Sequence, residues 1–595
     1  MPEKKSLKKT AAAVLVVCIL IFAFYEVYYR YCNHIFYENL AGSHSWLIAS
    51  TIKFVNNWLK DGALKLHFLN FEIPSSIEVT GIAGREPYVS YPTGSTLFAW
   101  VIAKLSGLDT IDCSFVKHMQ QKCMLAETLM FGVFLYLFLY KNFKLSDNPT
   151  ADRIIQIILA AFLAVFWMLL PANQYYLINS YFADQAVIMY VMAFVLLWYI
   201  RHIVSDYKNS CSHSVDRSCC GADGMLCGRE NGKAGKGIKI VRIVLRVLET
   251  AVIFLGTFTD YYFWILIFIA FIFEMAADII NKKSFRVILT DALFYVIPVI
   301  AALAAYLWQL SYVDNWQEKL LATFLFRTGA TDEVTAVGGM LKWNFCHAFA
   351  DESLNLIVYY LVYMALIAVL AVILLIKRKS IKICFTDSSF AIVFIMIIGM
   401  WCQLALLSEH SAIHTFSMIK FGWLYVVNLL LPALLLDKIL PEKSCSIAIT
   451  ETKSIRRNVV VIAVSVIFTM TVLNFPESIK KYYNSKYEHV TYPISDAIRE
   501  NTDYNDVCFS YTVEYSWTPP HEVAVSGKCV YKISSAEELD TMFPELDENA
   551  GKILVIDKAA EFDEHETEAA AEQKKLADAG TIVYDDDRCT LVKLP

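Results

Sequence analysis

The sequence predicts a mainly α protein: a polytopic transmembrane helical bundle with a small extracytoplasmic α/β domain at its C-terminal end. Three observations predict it. Of the 595 residues 57% are hydrophobic, and the mean hydropathy is positive, whereas a soluble domain of average composition is nearer ~45–50% apolar. The apolar excess is gathered into runs of about twenty residues, the length at which a helix spans a bilayer. Lys and Arg are concentrated in alternate connecting segments, as expected of the cytoplasmic side of a membrane protein. The formal charge of −6 is small, and no basic stretch is interleaved with aromatics, which argues against nucleic acid as a partner.

Taken in order, four lysines in residues 1–10 precede an apolar run at 11–29. That run is long for a signal-peptide core and has no small-x-small cleavage site, so a retained anchor is expected. Further spans are expected at 118–140, 153–171, 183–203, 241–259, 261–279, 287–307, 353–376, 389–408, 422–437 and 458–475, about eleven in all. With the N-terminus inside, segments 141–153, 201–246, 281–286, 377–382 and 437–457 are cytoplasmic, and all are rich in Lys and Arg. The opposite segments near 172–182, 260 and 407–421 are nearly free of them. Span parity and charge agree on an N-in, C-out protein of the plasma (inner) membrane. The expected organisation is 1–29 tail and first span, 30–117 first outer loop with interfacial helices, 118–475 helical bundle, and 476–595 extracytoplasmic α/β domain.

Within the first loop, residues 47–59 are amphipathic and carry Phe54 and Trp58 after Trp46. They read as a surface helix anchored by aromatics at headgroup depth rather than as a sugar-stacking platform. Residues 88–95, YVSYPTGS, are broken by Pro92 and Gly94 ahead of a helix at 96–105. Either this is only a helix start, or Tyr88 and Tyr91 form the wall of a substrate cavity. In the C-terminal domain 506–510, 528–533, 552–556 and 580–584 read as strands, and 534–542 and 566–579 as helices. The first of these helices opens on Ser535 with Glu538 three residues on, a capping box, and the alternation gives an α/β domain.

The 15 cysteines show no CxxC pair. Cys508 and Cys529 either pair, in an oxidising compartment, or remain two buried thiols. Cys211, Cys219, Cys220 and Cys227, with His213, fit no common zinc spacing and read as a reduced, variable loop.

Candidates for chemistry gather at the outer ends of spans. Glu38, just beyond the first span, is either a solvated loop acid or a general base for an incoming hydroxyl. His44 is the neighbouring candidate. Asp184 stands at the mouth of the span at 183–203, either an acid snorkelling at a span edge or one facing a bundle cavity, where acids are usually functional. Asp260, before an apolar run, is favoured as the N-cap of the next helix. His410 and His414, four apart, share one face of a helix; they leave a divalent metal open, and no other cofactor is implied. Lys420 is a rare outer cation beside a span, either snorkelling or facing a lipid phosphate; Arg327 is the second cation of that kind.

One long first outer loop with surface helices, the Tyr91-Pro92-Thr93-Gly94 element before the second span, about eleven spans and an outer C-terminal domain together resemble the GT-C superfamily of integral-membrane glycosyltransferases. The resemblance is to the branch with the protein O-mannosyltransferases and the bacterial lipid-A aminoarabinose transferases. It covers roughly residues 11–475 by layout and is specific at 36–46 and 88–95. It implies a polyprenyl-phosphate-linked sugar donor and an acid in the first outer loop, often Asp-Glu. That pair is absent here; Glu38 is the only acid between the first span and the amphipathic segment, and takes the role by position. Pro92-Thr93 stands where the family usually has Pro-Pro.

The resemblance implies transfer of a sugar to an envelope glycan, lipid or protein acceptor on the outer membrane face. A transporter and a non-catalytic envelope-assembly protein are the rivals. The first would place ionisable groups inside the spans; the second would keep the layout without the base.

Overall fold

A segment crossing a bilayer must satisfy every backbone polar group internally, so the apolar runs are expected to fold as helices. The computed structural model describes residues 2–32, 46–71, 87–215, 224–330, parts of 365–439, 492–503, 505–515, 520–542, 550–562 and 566–595. Helix α1 (Pro2–Val27) is followed by α2 (Trp46–Asn57), α3 (Gly94–Leu105), α4 (Cys113–Asn142), α5 (Pro149–Met168), the short α6 (Pro171–Asn179) and α7 (Ala183–Val215). Then come α8 (Gly224–Thr257), α9 (Tyr261–Ile280), α10 (Phe285–Leu310), α11 (Trp316–Thr328), α12 (Lys382–Thr386), α13 (Ser388–Leu406) and α14 (Gly422–Ile439). A 3-10 segment, Thr415–Phe421, leads into α14.

Among the described residues seven helices are long and apolar enough to cross a membrane: Lys8–Arg30, Cys113–Asn142, Pro149–Met168, Ala183–Ser205, Tyr261–Ile280, Phe285–Leu310 and Ser388–Leu406. The protein is an integral membrane protein. The runs expected at 241–259 and 422–437 fall largely in α8 and α14. The run at 458–475 and most of that at 353–376 lie outside the described residues.

Two short strands, β1 (Asn70–Phe71) and β2 (Pro87–Tyr88), pair antiparallel and deliver the chain into the Tyr91-Pro92-Thr93-Gly94 turn. Gly94 is required there by close approach. Its N–H donates to Phe258 O at 2.8 Å, and a Cβ at this position would stand 2.3 Å from that same carbonyl oxygen. The glycine therefore lets the turn sit directly on the α8–α9 junction.

The amphipathic segment is a helix, as its periodicity implies, but it is not an exposed surface anchor. Phe54 and Trp58 are fully buried, and so is Lys53. The reason is long-range: α2 is covered by α3, by α4 and by a short helix from the C-terminal domain, α16 (Pro520–Ser526), whose Ala524 and Val525 pack against the cluster holding Ile48, Ile52 and Val55. Burial pulls the Lys53 ammonium down to about 8.

The C-terminal domain opens with α15 (Pro493–Asn501) and holds a five-stranded sheet of order β4-β3-β5-β7-β6, with β3 (Val507–Ser510), β4 (Val530–Lys532), β5 (Lys552–Asp557), β6 (Thr581–Asp585) and β7 (Cys589–Lys593). β3 runs parallel to β4 and β5, and β7 is antiparallel to β5 and β6. The helices α17 (Ala536–Met542) and α18 (Thr567–Ala579) complete the alternation. Ser535 Oγ accepts from the Glu538 backbone N–H at 3.2 Å, which is the expected cap of α17. No disulfide joins Cys508 to Cys529. The register explains why they do not pair: Cys508 lies opposite Val530 and shares its face of the sheet, while Cys529 packs with Val507, Phe509 and Tyr531 on the other face.

Candidate active site

The site grows from the ends of three helices. Asp184 lies in the first turn of α7, and Asp260 precedes α9. Asp260 is the N-cap anticipated from an acid before an apolar run: its Oδ1 accepts from the Tyr262 N–H at 2.6 Å. Lys420 lies in the last turn of the 3-10 segment ahead of α14, between these two acids. Its Nζ lies 2.6 Å from Asp184 Oδ1 and 3.1 Å from Asp260 Oδ2, with all three side chains 1–2% exposed. The cation expected at a lipid headgroup is thus a buried ammonium bridging two carboxylates. Burial works against its charge, but Asp184 and Asp260 more than offset that, and its pKa is raised. Burial raises the carboxyl of Asp260, and Lys420 opposes the rise.

Asp184 has further neighbours. Ser417 Oγ donates to its Oδ1 at 3.4 Å, the Tyr91 hydroxyl lies 3.4 Å from its Oδ2, and His410 Nε2 is 3.8 Å from Oδ1. The Tyr91 hydroxyl also stands 2.9 Å from His410 Nε2. Burial lowers the pKa of His410, which is therefore neutral at neutral pH and can accept from Tyr91. Burial raises Tyr91 well above the ordinary phenol range, so its proton is retained.

Arg327 enters from α11. Its guanidinium carbon lies 4.0 Å from the centroid of the Tyr91 ring and 5.7 Å from that of Tyr261, while Tyr91 and Tyr261 stack at 5.8 Å. A guanidinium on tyrosine faces is a desolvated cation–π contact. Its Nη1 is buried without a hydrogen-bond partner among the described residues, and a buried unmatched donor is costly unless a ligand or water completes it.

The structure therefore gathers six of the sequence candidates, Tyr91, Asp184, Asp260, Arg327, His410 and Lys420, in one buried cluster. Tyr88 stands beside it against Phe54 and Phe182. His414 lies one turn from His410, rings 4.7 Å apart, and reaches toward Trp46. Glu38 and His44 lie outside the described residues. Tyr261 and Ser417 were not singled out from the sequence; each sits beside a candidate, at Asp260 and Lys420, and that adjacency was the available signal.

A second charged cluster lies at the opposite end of the bundle. Arg201 forks onto Glu249 at 2.8 and 3.2 Å and onto Glu274 at 2.9 and 3.1 Å. Here Glu274, Asp278 and Asp291 bring carboxylate oxygens within 4.8 Å of one another. Arg246 already pairs with Asp291 and Lys283 with Asp278, so cations of the chain itself occupy the place a metal would take.

No family model and no curated protein sequence matches this chain. Two solved structures that align with it are ArnT from Cupriavidus metallidurans bound to undecaprenyl phosphate and the same protein in the apo state. The first has 10% identity and a TM-score of 0.48, covering 99% of this chain and 98% of that one. The second has 10% identity and a TM-score of 0.43, covering 100% and 98%. With both scores below 0.5, it is this chain's own residues that carry the chemistry.

Proposed function

We propose that the protein is a GT-C-like glycosyltransferase that moves a sugar from a polyprenyl-phosphate donor to a cell-envelope acceptor on the outer face of the membrane. The observation that carries the reading is Arg327: a buried guanidinium held on two tyrosines, with Nη1 unmatched, beside an acid–base cluster at the end of a membrane bundle. A planar guanidinium is the side chain best suited to a phosphate. In this reading Arg327, rather than the doubly paired Lys420, faces the donor phosphate. Lys420 instead holds Asp184 and Asp260 in register.

In the transfer the acceptor hydroxyl oxygen bonds to the anomeric carbon as the bond from that carbon to the phosphate oxygen breaks. Polyprenyl phosphate leaves with the electron pair, and the hydroxyl proton passes to a base. Asp184 is a poor base, because its oxygens already face Lys420, Ser417 and Tyr91. We assign the base to Glu38 by its place in the sequence, with His44 beside it. Asp184, His410 and Tyr91 order the charges around the leaving phosphate.

Undecaprenyl phosphate titrated into the protein in nanodiscs tests the anion site. Arg327→Ala is expected to weaken binding roughly ten- to hundredfold, the worth of a charged hydrogen bond. Arg327→Lys should fall between, because it keeps charge without the fork. Equal binding by wild type and Arg327→Ala would remove the phosphate from this site.

The outward placement has its own check. In a background without native cysteines, a cysteine at Asn231 is expected to be shielded from an impermeant thiol reagent in intact cells, and one at Glu566 labelled. The reverse pattern would turn the protein over in the membrane.

A further inference from the structure

Two polar side chains near the end of α10 have no part in the reaction as described. Tyr306 and Gln309 are three apart, hence on one face of the helix, and both are buried. The Tyr306 hydroxyl donates to Val89 O at 2.6 Å. Its proton is thereby committed, so the contact of 3.4 Å with the Tyr261 hydroxyl is one in which Tyr261 donates. Gln309 Nε2 donates to Thr93 Oγ1 at 2.9 Å and to Phe68 O at 3.0 Å. Phe68 and its neighbour His67 both have left-handed backbones, at φ 56° and 53°, a region that non-glycine residues occupy only when their surroundings hold them there.

These bonds bracket Tyr91 from both sides along the chain. Val89 is two residues before it and Thr93 two after. Tyr306 also fixes the hydroxyl of Tyr261, whose ring stacks on Tyr91 and shares the guanidinium of Arg327. The bonds at 89 and 93 hold the backbone that carries Tyr91, and Tyr306 holds the ring stacked on it.

We propose that Tyr306 and Gln309 are positioning residues: together they set the stance of Tyr91, and through it the Arg327 guanidinium that receives the donor phosphate. The inference rests on the anion-site reading given above. Neither residue touches substrate; each acts through Tyr91.

The test uses the full chain in nanodiscs and undecaprenyl phosphate as probe. Gln309→Met removes two donors at similar volume, and Tyr306→Phe removes one hydroxyl and keeps the ring. Each is expected to speed amide exchange across 89–95 and to weaken binding on the order of tenfold, the size of a coupled-pair effect. In a Tyr91→Leu background the same substitutions should change the dissociation constant by less than about twofold, because their effect has lost its intermediary. A purely structural role would give the same loss in both backgrounds and would overturn the proposal. So would unchanged exchange at 89–95, or unchanged binding in both variants while Arg327→Ala still weakens it. If Arg327→Ala leaves binding intact as well, the anion site itself is misplaced, and the positioning role falls with it.

Discussion

Lys420→Met is expected to abolish activity and to lower thermal stability sharply. The substitution leaves the Asp184 and Asp260 carboxylates buried together with no ammonium between them. Breaking a buried ion pair from one side typically costs about 3–5 kcal/mol, because the remaining charge is uncompensated. Two stranded carboxylates belong at the upper end of that range, a large part of the ~5–15 kcal/mol that holds a typical domain folded. Unfolding followed by intrinsic fluorescence in nanodiscs reads the effect. Lys420→Met combined with Asp260→Asn should recover part of the loss, since it removes one of the two stranded charges, and Lys420→Arg should fall between wild type and Met. A headgroup-facing lysine would behave differently: Met would raise the apparent KM for donor and leave the unfolding temperature alone. That result would place Lys420 at the membrane surface and dissolve the cluster around it.

Glu38→Gln is expected to reduce kcat by at least about a hundredfold with folding and insertion intact, since proton transfer by a placed side chain is worth ~10²–10⁴ in rate. The amide keeps the shape and loses the base. Glu72 and Glu78 follow in the same loop, and their Gln variants should lose far less. The contrast with Asp184→Asn is informative. Asp184 is joined to Lys420, so its amide should cost stability as well as rate, whereas Glu38→Gln should cost rate alone. Near-normal turnover by Glu38→Gln would pass the role of base to His44.

What the sequence made legible follows the range over which each feature is determined. The apolar runs among the described residues, the Asp260 cap, the Ser535 cap and four of the five C-terminal strands are set by residues within a turn or two of one another, and they stand where local pattern puts them. The Tyr91-Pro92-Thr93-Gly94 element was visible as a break, but not its cause, which is the carbonyl of Phe258 far along the chain. Each acid and cation of the site could be nominated singly. Their pairing could not, because Lys420 meets Asp260 across 160 positions of sequence, and no local periodicity encodes that. The same limit hid the burial of α2: its amphipathic pattern is that of a surface helix, but α16 covers Ile48, Ile52 and Val55, Phe54 packs on Tyr88 and Phe182, and Trp58 packs on Phe68 and Trp100. Arg201 sits at the end of a Lys/Arg-rich segment and reads as a cytoplasmic flank, yet it is buried between two glutamates. Tyr306 and Gln309 left a fainter trace: polar side chains three apart in the apolar C-terminal half of α10.

The central claim is that this cluster transfers a sugar and releases polyprenyl phosphate, and release is the step common to every sugar and acceptor. The measurement is the formation of polyprenyl phosphate from a panel of polyprenyl-phosphate-linked sugars, by the protein in nanodiscs with an envelope extract as acceptor source. Wild type should release it from at least one donor, and Glu38→Gln should do so at least about a hundredfold more slowly. Tight binding of polyprenyl phosphate with no release from any donor, or release at equal rates by wild type and Glu38→Gln, Lys420→Met and Arg327→Ala, would contradict the account and favour a non-catalytic role in envelope assembly.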